Sequence, residues 1–223
     1  VYSANEYLTR TNLMKAYRED YDTPIAKSKS VAIVGGGNVA IDASRVSKRN
    51  GASSVTMVCL EDEKIMPAAP DEVREAVEDG VKISCGWGPA KVEVDEEGKV
   101  TGITFKKCTR VYDENHKFSP TYDENNKVTV KCDRVIFGIG QAIVWGDLLK
   151  GTKVEFGRGN GPVADKVTYQ TAEPDIFVGG DVYTGPSFVI NAIAAGHEAA
   201  ESLHRYVQHG HLTIGRNRRA LIE

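Results

Sequence analysis

The stretch VAIVGGGNVAID, residues 31–42, limits what this chain can fold into more than any other. A short apolar strand, Lys29 to Val34, runs into three glycines. A helix-forming segment, Asn38 to Arg49, follows at once and stops at Asn50-Gly51. Gly35, Gly37 and Ala40 give the spacing G-x-G-x-x-A, with Gly36 between the first two. Its place between a strand and a helix separates a dinucleotide-binding turn from a chance run of glycines. Gly35 permits the tight turn, Gly37 lets backbone approach a pyrophosphate, and the small Ala40 allows close packing of helix on strand. The amides of Asn38 and Val39 would then hold the phosphates. A βα unit with a tight turn and no ligand is the bland alternative.

The segments that follow keep the same rhythm. Ser53 to Cys59 is a second strand rich in β-branched residues. Residues 70–79 form a helix with Pro70 near its start, acidic residues in its first turn and Gly80 after its end. VKISC, 81–85, is a third strand. Residues 29–85 therefore read β-α-β-α-β, an α/β, Rossmann-like parallel sheet. Residues 91–111 then alternate around Glu97-Gly98, which predicts an antiparallel hairpin crossover. The polar tract 112–128 contains YDEN twice and reads as an exposed extension of that hairpin. A calcium loop there would need alternating oxygen ligands and a central glycine, which the tract does not have. Residues 133–140 form a buried strand ending in Gly138, Ile139 and Gly140. Upstream, 5–20 predicts a short helix, broken where Pro24 disfavours helical geometry at Thr23. Past Gly140 come a loop-rich tract with short strands, a strand with a Gly/Pro loop, and a long helix. The tail, 212–223, is basic and reads as mobile, with partner binding as its alternative role.

The end of the second strand selects the cofactor. An acidic side chain there accepts hydrogen bonds from both hydroxyls of an adenosine ribose, whereas arginines bind a 2′-phosphate. This chain has Cys59-Leu60-Glu61-Asp62-Glu63 and no arginine before Arg74. Three carboxylates would repel a 2′-phosphate in a partly desolvated cleft, so NAD(H) is favoured over NADP(H), with Glu61 as the ribose ligand. Asp42 lies one turn after Asn38 on the cleft side of the helix. It either serves the helix dipole or reaches the nicotinamide ribose or carboxamide.

Composition narrows the function classes. A net charge of −3 gives no reason to expect nucleic acid or an anionic membrane as partner. No apolar run approaches the roughly 20 residues that a membrane span needs. No two of Cys59, Cys85, Cys108 and Cys132 are closer than Cys85 and Cys108. An iron–sulfur cluster or structural zinc held within this chain is therefore not expected, and the four read as reduced thiols of a cytoplasmic protein. His197 and His204 share a helix face, read as solvated. No side-chain acid, base, nucleophile or metal ligand set stands out. The chain opens on Val1 without an initiator Met or signal-peptide pattern, which reads as a fragment.

IFVGGDVYTGPSFVINAIAAGHEAA, 176–200, completes the picture. A strand ends at Gly179-Gly180-Asp181, and a helix begins near Ser187. Asp181 would accept a hydrogen bond from a sugar-alcohol hydroxyl, and the first helix amides would meet an electron-rich ring edge. Ala192, Ala194, Ala195 and Gly196 permit close packing of that helix. With this segment the chain resembles the two-dinucleotide flavoprotein oxidoreductases, most closely the family of the glutamate synthase small (beta) subunit. The resemblance is carried by YSANEYLTR, YDTP, VAIVGGGNVAID, IMPA, DEVREAVEDGV, FGIG and GGD…TG…A..AGHEAA, and so covers nearly the whole chain.

That resemblance implies an FAD domain split in sequence around an inserted NAD(P) domain. Residues 1–28 would be a connecting helix and linker, 29–140 the NAD(P)H-binding domain, and 141–223 the C-terminal half of the FAD domain plus tail. VAIVGGGNVAID would be the nicotinamide site, with Gly138, Ile139 and Gly140 of FGIG counted with it. Gly180 and Asp181 would contact the flavin ribitol, and Ser187, Phe188 and Val189 would face the flavin ring. The FAD-adenosine fingerprint and the cysteine-rich segments that feed iron–sulfur clusters would lie upstream of Val1. NADH would pass hydride to FAD, which passes electrons to an iron–sulfur centre, a large subunit or another accepting protein. A non-catalytic NAD(H)-binding module, or a dehydrogenase acting without flavin through a proton relay, are the alternatives. The fragment alone is expected to bind NADH, bind FAD poorly, lack activity and self-associate. Two departures stand against the family pattern. Leu60 and Glu61 replace the arginine pair of NADP-dependent relatives, and the 112–128 tract and the tail after His209 look unlike it.

Overall fold

Strand β2 (Ser30–Val34) is the axis of the first half of the chain. Its side chains alternate between two cores. Val31 and Ile33 enter one cluster with Ile41, Val55, Met57 and Ile136. Ala32 and Val34 enter another with Val58, Ile103, Phe105 and Val135. A strand buried on both faces must be apolar throughout, as parallel strands covered on both sides are.

The computed structural model describes residues 1–25 and 27–216. The chain divides into two units, Val1–Gly140 and Gln141–Glu223. In the first, β1 (Tyr2–Ser3), β2, β3 (Ser54–Cys59), β4 (Lys82–Cys85) and β8 (Arg134–Phe137) form a parallel sheet in the order β1-β8-β2-β3-β4. The helices α2 (Asn38–Arg49) and α3 (Pro70–Glu78) lie in the β-α-β-α-β order that the sequence predicts. The buried stripe of α2 is Ala40, Ile41, Ala43, Ser44 and Ser47. The two serines satisfy their hydroxyls on the carbonyls one turn back, both at 2.7 Å. Arg45 clasps α3 through Glu75 at 2.5 Å and Asp79 at 2.8 Å.

The other face of the parallel sheet is covered by a second sheet. Strands β5 (Trp87–Val94), β6 (Val100–Tyr112) and β7 (Phe118–Lys131) pair antiparallel in the order β5-β6-β7. Ile103 and Phe105 of β6 are fully buried against β2, β3 and β8. The two YDEN copies perform one local act. Asp113 and Asp123 each accept a hydrogen bond from the amide of Asn115 or Asn125, at 2.8 and 2.9 Å. The first closes the β6–β7 hairpin, and the second bulges β7 where its pairing jumps from Lys127 to Asp123.

Three expectations need correction. The helix expected over 5–20 is α1 (Ala4–Leu8) with a π-helical continuation, Thr9–Leu13. Ser3 caps it, accepting from the Glu6 amide at 3.1 Å, and the two residues Tyr2–Ser3 are themselves a strand beside β8. In the second unit, the segment before Gly179 is a run of isolated bridges such as Gln170 with Phe177, not a strand. Where a loop is expected after Gly180, a short helix α4 (Asp181–Thr184) opens at Asp181, and the long helix α5 (Val189–Val207) then begins near Ser187 as the sequence predicts. The part of the basic tail at 217–223 lies outside the described residues. Its start is held, because Arg216 donates to the Val167 and Glu198 carbonyls at 3.0 and 2.8 Å and pairs with the Glu198 carboxylate.

Phe105→Ala removes the largest fully buried side chain of the second cluster. It is expected to cost about 3–5 kcal/mol in denaturant unfolding, whereas truncating Phe118 at the exposed hairpin end should change stability little.

Candidate dinucleotide site

The glycine loop lies where the sheet order reverses. From β2 the chain goes to β3 on one side and, after the antiparallel sheet, to β8 on the other. The carboxyl ends at such a switch point form the crevice in which open α/β sheets bind ligands.

Three residues interlock there. Gly35 has φ +139°, and its amide donates to the Val58 carbonyl at 2.9 Å. A Cβ on Gly35 would stand 2.2 Å from the Gly138 carbonyl oxygen, a position no side chain can take. The Gly138 amide in turn donates to the Val34 carbonyl at 2.7 Å. A Cβ on Gly138 would be 3.2 Å from Ala40, so the third small residue of the motif packs on the end of β8. Gly37 behaves differently: nothing lies within 4 Å of where its Cβ would be. It caps α2 in extended geometry, and its carbonyl accepts from the amides of Ala40 and Ile41. Among the described residues the amides of Asn38 and Val39 have no partner in the protein. Open space beside two unpaired amides at a helix start suits a phosphate group.

The loop after β3 folds back onto the glycines. A Cβ on Gly36 would lie 2.9 Å from Glu61 Oε2, so this half-buried carboxylate sits directly against the loop. The Gly36 carbonyl accepts from Ala68, and Asn38 Oδ1 accepts from Ala69 at 2.8 Å. Sequence reasoning placed Asn38 for its amide and missed that its side chain ties the two loops together. It also missed that Cys59 and Cys85 face each other across the β3–β4 register, with sulfurs 3.6 Å apart. Both thiols are pushed up, chiefly by burial, which favours their protonated form.

Asp42 is exposed, yet its carboxyl is pushed up, first by desolvation and then by the charge of Glu72, with Arg45 opposing. Ile139 is exposed and Gly140 has φ +100°, both just past β8.

The second group of candidate residues lies in the second unit. Gly179 and Gly180 pack against α5, where a Cβ on them would meet Ala195 and Ala192 at 3.3 and 3.5 Å. Gly180, Asp181, Ser187 and Val189 line a cavity of about 590 Å³ beside Ala192 and Gly196. Ser187 Oγ accepts from the Asn191 amide group at 2.7 Å, and Phe188 is the N-cap of α5, with its ring exposed.

The family described as pyridine nucleotide-disulphide oxidoreductase has a model that matches residues 4–196. The chain is 35% identical over 193 residues to the NADP(+)-dependent formate dehydrogenase subunit beta of Moorella thermoacetica, covering 84% of this chain and 26% of that one. It is 32% identical over 216 residues to the glutamate synthase (NADPH) small chain of Escherichia coli (strain K12), covering 93% and 46%. The crystal structure of T. acidophilum thioredoxin reductase matches with TM-score 0.64 and 21% identity, over 81% of this chain and 53% of that one. That last likeness is one of fold. The chain spans less than half the length of either curated relative.

Two glycines of one motif should fail differently. Gly35→Ala is expected to cost at least about 2 kcal/mol of stability. Gly37→Ala should melt like the parent but bind dinucleotide on the order of tenfold more weakly, as read by paired thermal melts and titrations. Asp42→Asn should raise stability at neutral pH. A carboxyl whose pKa rises on folding favours the fold below its ordinary value and loses that contribution as pH climbs through the folded value, so the gain should vanish in acid.

Proposed function

The chain belongs to the pyridine nucleotide-disulphide oxidoreductase family, and from that premise we propose that it is the nicotinamide-binding part of a larger flavoprotein. In this reading NADH is the donor, FAD the intermediate carrier, and an iron–sulfur centre or partner subunit outside this chain the acceptor. When bound, the two cofactors would supply the redox chemistry, the transfer of one hydride, a proton with two electrons, from the nicotinamide to the flavin. The protein binds, orients and shields.

The observation that carries the reading is the Glu61 carboxylate lodged against Gly36 beside unpaired helix-start amides. The amides of Asn38 and Val39 take the pyrophosphate, and Glu61 accepts from the 2′- and 3′-hydroxyls of the adenosine ribose. Asp42 stands toward the nicotinamide end, where a carboxylate held at some cost is characteristic of functional positions. In the second unit, Asp181 accepts from a ribitol hydroxyl and the start of α5 at Ser187 to Val189 faces the ring.

Residues 29–140 then form the nicotinamide domain, 1–28 its link to the flavin domain, and 141–223 the returning half of that domain. Val189, Ile190, Ile193 and Val207 are exposed along α5, which buries only Ala195 and Ser202. An apolar stripe of that kind normally covers a neighbour, and an upstream half of the flavin domain would supply one. Among the described residues no helix is long and apolar enough to cross a membrane, and no group of three or more His, Cys, Asp or Glu side chains could hold a metal ion. A cytoplasmic location and clusters carried elsewhere complete the proposal.

The test is the visible spectrum of the purified chain after incubation with excess FAD and desalting, beside a fluorescence titration with NADH. The expected result is NADH binding without retained flavin. Retained stoichiometric FAD would overturn the split-domain reading, and NADH oxidation without flavin would point to direct dehydrogenation.

A further inference from the structure

The three carboxylates after β3 argue against a 2′-phosphate only if no cation answers them, and the fold brings cations from another strand. A cavity of about 600 Å³ opens at the carboxyl ends of β3 and β4. Leu60, Asp62, Glu63 and Lys64 line one side of it, and residues 107–111 of β6 line another. In a regular strand successive side chains point to opposite faces, which would set Lys107 and Arg110 on different sides of the sheet. The β6–β7 pairing is interrupted between them, at Cys108 and Arg110, and also between Lys106 and Lys107 and before Tyr112, and both residues line the cavity. Bulges of this kind re-aim side chains beside functional sites.

The cavity adjoins the backbone of Glu61, the residue whose carboxylate is assigned to the ribose. The Gly86 amide donates to the Glu61 carbonyl, and the Cys108 amide donates to the Gly86 carbonyl, both at 2.9 Å. Lys107 Nζ lies 2.8 Å from where a Cβ of Gly86 would stand, and 4.9 Å from the centre of the Trp87 ring. Lys106, one residue earlier, is neutralised by Glu124 at 2.7 Å. Among the described residues neither Lys107 nor Arg110 has a carboxylate within ion-pairing distance. Asp62 is partly satisfied already, since its Oδ1 accepts from the amides of Lys64 and Ile65.

We propose that Lys107 and Arg110 are the residues that admit a 2′-phosphate, so that this site takes NADPH as well as NADH. Glu61 reads the free ribose diol from the side of the glycine loop. The ammonium and guanidinium read the phosphate from the side of Gly86, the two chemistries best suited to it. The inference rests on the nicotinamide-site reading above and replaces the arginine pair of the β3 loop with cations carried on β6.

The experiment titrates the 223-residue chain with NADH, NADPH and 2′,5′-ADP, alongside Lys107→Met, Arg110→Met, the double variant, and Lys106→Met as a charge-matched control. NADPH should bind the parent within about tenfold of NADH, and the double variant should lose about tenfold or more for NADPH and 2′,5′-ADP. NADH affinity, which also reports that each variant is folded, should stay unchanged, and Lys106→Met should alter neither. Parent binding of NADH but not NADPH, or a fall in both cofactors together, would overturn the role of Lys107 and Arg110 while sparing the site. Failure of the parent to bind any of the three would overturn the nicotinamide-site reading and this inference with it.

Discussion

The absence of a side chain at Gly35 is the constraint on which the first unit turns. The Gly138 carbonyl occupies the space a Cβ would need, and that close approach brings the ends of β2 and β8 together under the start of α2. Ala40 then rests on Gly138, which sets where the helix begins relative to the sheet. The amides of Asn38 and Val39 point outward as a consequence of backbone packing, before any ligand is considered. The loop 61–69 is fastened to the same place through Gly36 and Asn38, so the carboxylate of Glu61 is positioned by the framework that positions the amides.

Much of this was legible in the sequence because it depends on short-range pattern. The apolar run ending at Val34, the glycine spacing, and the start and stop of α2 and α3 are local, and the structure places them where they were read. Glu61 was legible because its distance along the chain from the motif follows from the βαβ unit itself. Tyr2–Ser3 was not, since two residues carry no periodicity and become a strand only through β8. The end of the first helix was misread because Met14 to Asp20 have a helix-compatible composition but lie in turns. The cations of β6 were illegible for a deeper reason. A regular strand pattern assigns Lys107 and Arg110 to opposite faces, and the break in register at Cys108/Arg110, which lies between them, has no local signature in the sequence.

The two units treat apolar surface in opposite ways. In the first, both faces of the parallel sheet are covered, by helices on one side and by β5–β7 on the other. In the second, the described residues form bridges rather than a sheet, and α5 leaves Val189, Ile190 and Ile193 in solvent. A helix gains most of its stability from packing its apolar face. The contacts α5 does make, Gly179 on Ala195 and the Phe177–Tyr206 ring pair, cover little of that face.

Strand β6 is two strands in one. Its first part, through Ile103 and Phe105, is a pillar of the core; its second, from Lys107, is an irregular arm whose mate β7 is bulged beside it. The core cannot tolerate much change, but the arm can be lengthened, shortened or recharged without disturbing the parallel sheet. Evolution therefore has a handle on this fold that lies outside the nucleotide-binding motif: the amino acids of a hairpin arm can drift while the glycines stay fixed.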